Sequence, residues 1–184
     1  MTYHRSGVFL IPLVFLMYGC GSQSSVLTLY SDSWEPVEVD LSGNTLVCGT
    51  ATWCPFCRQF RDFVNDDRIA SKLGDLDVIL LLEDEWPFVQ TQLEDQLSPD
   101  DAAAQIAELK SAVGGGPLYD PSFLDSWNGK YYLVKDSSGL SIGSVPSVLN
   151  VKNLEFDGHP TQWLAANTNI SSSLIESVWE EHSP

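Results

Sequence analysis

Two cysteines two residues apart, Cys54-Pro55-Phe56-Cys57, are the part of the chain whose residue types and spacing could do chemistry. If a helix starts here, the sulfurs lie one turn apart, and the second thiol can attack a disulfide made on the first. The first must ionise near neutral pH, and a helix N-terminus supplies unpaired N–H groups and the positive dipole end that stabilise a thiolate. Pro55 suits the first helical position because it lacks an N–H and its φ is already helical. The pair reads as a dithiol centre, Cys54 attacking and Cys57 resolving, whose only redox group is its own disulfide. Zinc sites share the spacing but need a second ligand pair, and beyond residue 57 there is no cysteine and only His159 and His182.

The flanking residues predict the elements that would hold these sulfurs. Leu46 to Thr50 is a short, continuous apolar run that suits a buried strand feeding the helix. After the motif, Phe60, Phe63 and Val64 share one helical face, with Gln59, Arg61 and Asp62 between them. Asn65-Asp66-Asp67 breaks this helix or caps a second one carrying Ile69, Ala70 and Leu73 and stopped by Gly74. Asp77 to Leu82 is an uninterrupted apolar strand of the kind covered on both faces, completing a βαβ unit.

The segment Ala51-Thr52-Trp53-Cys54-Pro55-Phe56-Cys57-Arg58 resembles the active-site region of the thioredoxin superfamily, in particular bacterial periplasmic and lipoprotein-anchored thiol–disulfide oxidoreductases. The likeness covers roughly residues 37 to 83, including the Leu41-Ser42-Gly43 phrase before the central strand. It implies an α/β, thioredoxin-like fold: a central mixed sheet flanked by helices, acting on protein thiols and disulfides with a separate, unidentified redox partner. Such proteins place a cis-proline opposite the dithiol, and Val145-Pro146 before Ser147-Val148-Leu149 resembles it. A cis X–Pro bond leaves the backbone groups of the preceding residue free to pair with an extended peptide. Trp53, Pro55, Phe56, Val145 and Pro146 are thus the expected substrate contacts.

One departure concerns Cys48, six positions before Cys54, where the family often has a buried acid that helps move a proton from the second cysteine. Cys48 reads as a small buried strand residue, with a third redox thiol or auxiliary acid/base as the sharper alternative. Glu83 or Asp84 is a weak substitute for the missing acid.

Elsewhere, Leu27 to Tyr30 and Val37 to Leu41 are opening strands. From about 84 to 143 the chain carries an expected insertion, mostly helical, before the cis-proline strand. It includes a helix begun by Ser98-Pro99-Asp100-Asp101 with Ala102, Ile106, Leu109 and Val113 on one face. A short helix at Asp120-Pro121 carries Phe123, Leu124 and Trp127, Lys130 to Lys135 is an extra strand or hairpin arm, and Asp136 to Gly139 is a turn. The aromatic residues of this region, Trp86 and Trp127 included, suit its own small core or a substrate groove. Lys152-Asn153 turns into an edge strand at Leu154 to Phe156, His159 to Asn167 carries no assignment, and a last helix from Asn169 shows Ile170, Leu174, Ile175, Val178 and Trp179.

With 184 residues, 43% hydrophobic and 11% aromatic, the composition is that of one globular domain. A net charge of −16 disfavours a nucleic-acid or anionic-membrane surface. His4 and Arg5 followed by apolar Val8 to Tyr18 read as an export signal over 1–19, too short to span a bilayer. Gly19-Cys20 and the polar linker after it resemble a bacterial lipoprotein cleavage site. Lipidated Cys20, a linker over 20–26 and a domain over 27–184 on the periplasmic side of the cell envelope are therefore expected. Two other classes fit the same residues: a non-catalytic thioredoxin-fold interaction lipoprotein, and a metal-handling protein using Cys48, Cys54 and Cys57.

Overall fold

The structure, a computed structural model, describes residues 26–112, 114–135 and 140–184. The expected signal 1–19, Cys20 with its linker as far as residue 25, Val113 and the turn 136–139 lie outside the described residues.

The chain opens with an antiparallel pair, β1 (Val26–Tyr30) and β2 (Pro36–Asp40), and continues into β3 (Thr45–Thr50), the strand that delivers the dithiol. Helix α1 (Pro55–Asn65) follows, then α2 (Asp67–Leu73), and β4 (Asp77–Glu83) returns parallel to β3. Asp66 makes the break expected between the helices: its N–H ends α1 on the Phe63 carbonyl, and its carboxylate caps α2 by accepting from the Arg68 N–H at 2.9 Å. Arg68 and His182 also face that carboxylate and hold its pKa below the usual carboxylate range. Of the face expected on α2, Ile69 is buried in the core shared with α1, Leu73 is half-buried and Ala70 is exposed.

Among the described residues the sheet has seven strands in the order β2-β1-β5-β4-β3-β6-β7. Strand β5 (Lys130–Val134) lies inside the expected insertion but runs parallel to β4 and fills the place between β4 and β1. The excursion from the sheet is therefore shorter than 84–143. It is made by α3 (Trp86–Glu94), which the sequence reading left unassigned, α4 (Pro99–Ala112) and a 3-10 turn at Pro121–Leu124. On α4, Ala102 and Ile106 are buried as expected, whereas Leu109 is exposed. Beyond the excursion, β6 (Ser147–Asn150) pairs antiparallel with β3 and β7 (Glu155–Asp157) with β6. Helix α5 (Pro160–Asn167) occupies the unassigned stretch, capped by His159, and α6 (Ser172–Glu181) closes the chain with Ser171 as its cap in place of Asn169. The fold is thioredoxin-like α/β: a mixed sheet flanked by helices, with the dithiol at the turn from β3 into α1.

Alternation along β3 and β4 supplies two cores, which is why β4 reads as continuously apolar. Leu46, Cys48, Leu80 and Leu82 face Phe60 and Phe63 of α1 and Ile175 and Val178 of α6. Val47, Ile79 and Leu81 face Leu29, Leu140, Ile142 and Leu149. Gln59, placed by its spacing with the polar residues of α1, is buried and donates to the Trp179 carbonyl at 2.7 Å and the Ser183 hydroxyl at 3.0 Å, tying α1 to the end of α6. No helix among the described residues is long and apolar enough to cross a membrane.

On β3 the backbone at Gly49 is approached so closely that a Cβ there would stand 2.7 Å from Ile142 Cγ2 and 2.9 Å from Phe156 Cε1. Gly49→Ala is expected to cost about 1–3 kcal/mol through overpacking. Urea unfolding measures it, and an unchanged midpoint would show that this approach does not constrain the sheet.

Candidate active site

Helix α1 begins at Cys54, whose backbone is extended (φ −78°, ψ 118°) and whose sulfur takes the capping role an oxygen more often fills. The Cys57 N–H donates to Cys54 Sγ at 3.3 Å, and the Cys54 carbonyl accepts from the N–H groups of Cys57 and Arg58 at 3.2 Å. One turn of helix thus brings the two thiols together, as the spacing predicts. Neither they nor Cys48 is disulfide-bonded.

The electrostatics separate the two sulfurs. The Cys57 side chain donates to Cys54, backbone N–H groups of Cys57 and Phe56 point at it, and the Arg58 charge adds to them; against the opposing effect of burial these bring Cys54 down to about 6. Cys57 moves far up, because it is the donor in that pair and because it is fully buried. The result is an ionised first sulfur and a protonated second one near neutral pH. Cys48 on β3 is fully buried beneath them, and desolvation pushes its thiol well above the ordinary range. That environment suits the packing role expected of Cys48 and leaves no ionised base there.

Val145-Pro146 is cis, and the Val145 carbonyl lies 3.6 Å from Cys54 Sγ, where it accepts from the protonated thiol. Residues 91 positions apart in sequence are therefore brought to the same sulfur. Trp53, which precedes Cys54, and Phe56, two positions after it, are 43% and 55% exposed, whereas Cys54 itself is only 3% exposed.

The supporting groups missed by sequence reasoning converge on Thr52. Its N–H and hydroxyl both donate to one carboxylate oxygen of buried Glu85, at 2.5 and 2.6 Å. The same hydroxyl accepts from the Asp120 N–H at 2.8 Å, and the Thr52 carbonyl accepts from Arg58 Nε at 3.0 Å. Arg58 also faces the Asp120 carboxylate at 3.5 Å. The buried acid near the site is thus Glu85, one and two positions past the Asp84 and Glu83 considered from sequence, and it grips the turn before Cys54. Asp84 accepts from the Leu118 N–H at 3.0 Å and closes the neck of the excursion. The visible signal was three acids ending an apolar strand; which of them turns inward depends on where β4 stops.

Among the described residues, no group of three or more His, Cys, Asp or Glu side chains is arranged to hold a metal ion.

No family model and no curated protein sequence matches the chain. Among solved structures it is similar to a thioredoxin-like protein from Aeropyrum pernix, 18% identical, over 85% of this chain and 89% of that one, with a TM-score of 0.41. At that score the similarity decides nothing beyond what the strand order and the site already establish.

In the reduced protein, alkylation by iodoacetamide should fall on Cys54 with a midpoint near pH 6, while Cys57 stays unmodified through neutral pH. Peptide mapping of the labelled sulfur checks this. A midpoint at the ordinary thiol value of about 8.5 would remove the thiolate from the account. Because the folded value is depressed, ionised Cys54 stabilises the reduced fold fully above its unfolded pKa, and that stabilisation is lost as pH falls through about 6.

Proposed function

We propose that the chain is a thiol–disulfide oxidoreductase of the bacterial cell envelope, acting on protein thiols and disulfides through Cys54 and Cys57. The observation that carries this reading is the geometry of the pair at the start of α1, where Cys54 Sγ accepts from the Cys57 N–H at 3.3 Å and lies 3.6 Å from the Val145 carbonyl of cis Val145-Pro146. That environment lowers the first thiol's pKa and raises the second's. A structural thiol needs neither feature.

In the reductase direction, which we adopt, the Cys54 thiolate attacks one sulfur of a client disulfide. A Cys54–client S–S bond forms as the client bond breaks, and the other client sulfur leaves and takes a proton. Formation of the mixed disulfide removes the negative charge that the Cys57 proton had stabilised, so Cys57 becomes easier to ionise. It then gives up its proton to solvent and attacks Cys54 Sγ; the Cys54–Cys57 bond forms as the Cys54–client bond breaks, and the client leaves as a thiolate that takes a proton back from solvent. Two electrons have passed to the client, and a separate dithiol partner must return them. Oxidation of clients is the same sequence reversed. Trp53, Pro55, Phe56, Val145 and Pro146 line the approach, and a client strand would pair with the Val145 backbone.

Placement in the envelope rests on residues 1–26, with Cys20 as the lipid-bearing N-terminus that anchors the domain to the membrane. The net charge of −16 argues against a nucleic-acid partner.

Cys54→Ala is expected to abolish reduction of insulin disulfides, and Cys57→Ala to accumulate protein–client mixed disulfides visible on non-reducing gels. Full activity in either variant would contradict the mechanism and favour a binding role for the fold.

A further inference from the structure

Besides Trp53 and Phe56, a third exposed ring near the dithiol turn comes from outside the dithiol segment. Phe88, in the first turn of α3, stacks on Trp53 with ring centroids 4.5 Å apart and planes 7° from parallel. Phe88 is 40% exposed and Trp53 43%, so the pair remains open to solvent instead of closing over itself.

Phe88 is not part of the excursion's own core. That core takes Trp86, 5% exposed with its indole N–H donated to the Gly116 carbonyl at 3.0 Å, together with Ala102 and Ile106. The start of α3 is held on several sides: Glu85 grips Thr52, the Glu85 N–H donates to the Leu118 carbonyl, and Asp84 accepts from the N–H groups of Trp86 and Leu118. Phe88 is therefore an exposed ring on a fixed support, set beside the residue that precedes the nucleophile. Large exposed aromatic surface of this kind marks a contact site.

Building on the oxidoreductase reading, we propose that Phe88 is a client-selecting residue, and that the Trp53–Phe88 stack receives an apolar side chain adjacent to the client's reactive cysteine, in a segment with basic flanking residues. The occupant follows from the chemistry. A client sulfur bonded to Cys54 stands beside Trp53, the residue next to Cys54 in the chain, which brings the client residue adjacent to that sulfur within reach of the stack. The charge follows from the excursion: residues 84–124 contain eight Asp or Glu and a single base, Lys110, whose ammonium lies 5.4 Å from the centre of the Trp86 ring. Exposed Glu94 and Asp95 close α3, and Asp95, seven positions after Phe88, lies on the same face about 10 Å along the helix axis. That is within the roughly 8 Å to 10 Å over which charges still act through physiological salt.

The test uses the full-length reduced protein and synthetic peptides whose single cysteine is in a disulfide with thionitrobenzoate. Cys54 Sγ attacks the peptide sulfur, the bond to thionitrobenzoate breaks, and the coloured thiolate leaves. Three peptides differ only in the residue beside cysteine and in the flank: Leu with Lys, Ser with Lys, and Leu with Glu. The Leu peptide should react about five- to tenfold faster than its Ser counterpart, the size expected of one aromatic-lined contact. Phe88→Ser should bring that ratio below about 2, with Phe88→Leu between, and the Lys-over-Glu preference should shrink as salt rises. Equal rates for Leu and Ser peptides in the parent protein, a ratio unmoved in both Phe88 variants, or no preference for Lys over Glu would overturn the proposal. Ellman's reagent, which has no flanking residues, separates the two readings: if it too fails to react, the oxidoreductase reading fails; if it reacts without any peptide preference, only client selection fails. Self-association of the parent that is lost together with the preference in Phe88→Ser would assign the surface to a second copy of the chain and overturn the client reading.

Discussion

A negative sulfur at the start of α1 is the constraint on which the remainder of the site depends. An anion there needs donors, and they come from one turn of helix: the Cys57 side chain and the backbone N–H groups of Phe56 and Cys57. None requires a histidine or lysine between the cysteines, where the chain has Pro55 and Phe56. The arrangement is also self-cancelling in a useful sense. The proton that stabilises Cys54 is the one Cys57 must lose, so making the mixed disulfide prepares the next step. Burial of Cys48 in the same core as Cys54 and Cys57 puts a neutral thiol on the strand position where the resemblance led one to expect an acid.

The turn carrying that sulfur is held by the excursion as much as by the sheet. Thr52 has its N–H, hydroxyl and carbonyl all engaged, with Glu85 at the entry of the excursion, Asp120 at its exit, and Arg58 of α1. Hydrogen bonds to a buried carboxylate are among the stronger ones, and here one oxygen accepts two. A helical pair that is remote in sequence from the dithiol is thereby fixed beside it. The same neck sets Phe88 against Trp53, so the dithiol turn and the Trp53–Phe88 stack share one support.

Much of this was legible before any coordinates, and the division has a physical basis. Local signals carried well: Pro55 after Cys54, the Phe60-Phe63-Val64 face, Asp66 between two helices and the apolar run of β4 all express one element's own periodicity or cap. Val145-Pro146 was legible only through resemblance, and its nearness to Cys54 is a tertiary fact. Helix α3 was missed because it is short and buries Trp86 alone, leaving little apolar period to see. The place of β5 was missed because Lys130 to Val134 looks the same whether it lies in a hairpin or beside β4; only long-range pairing decides. Gln59 and Glu85 are polar by type and buried by partnership, and no pattern in the chain names the partners.

The central claim, that Cys54 and Cys57 interconvert between dithiol and disulfide under physiological conditions, is tested most directly by equilibrating the protein in glutathione buffers and trapping free thiols across a range of potentials. The account predicts a single two-electron transition above about −300 mV, lying near −270 mV if the protein works as a reductase. A pair that stays oxidised until potentials well below about −300 mV would be a structural disulfide, and one that never oxidises would be no redox couple. Either result would contradict the account.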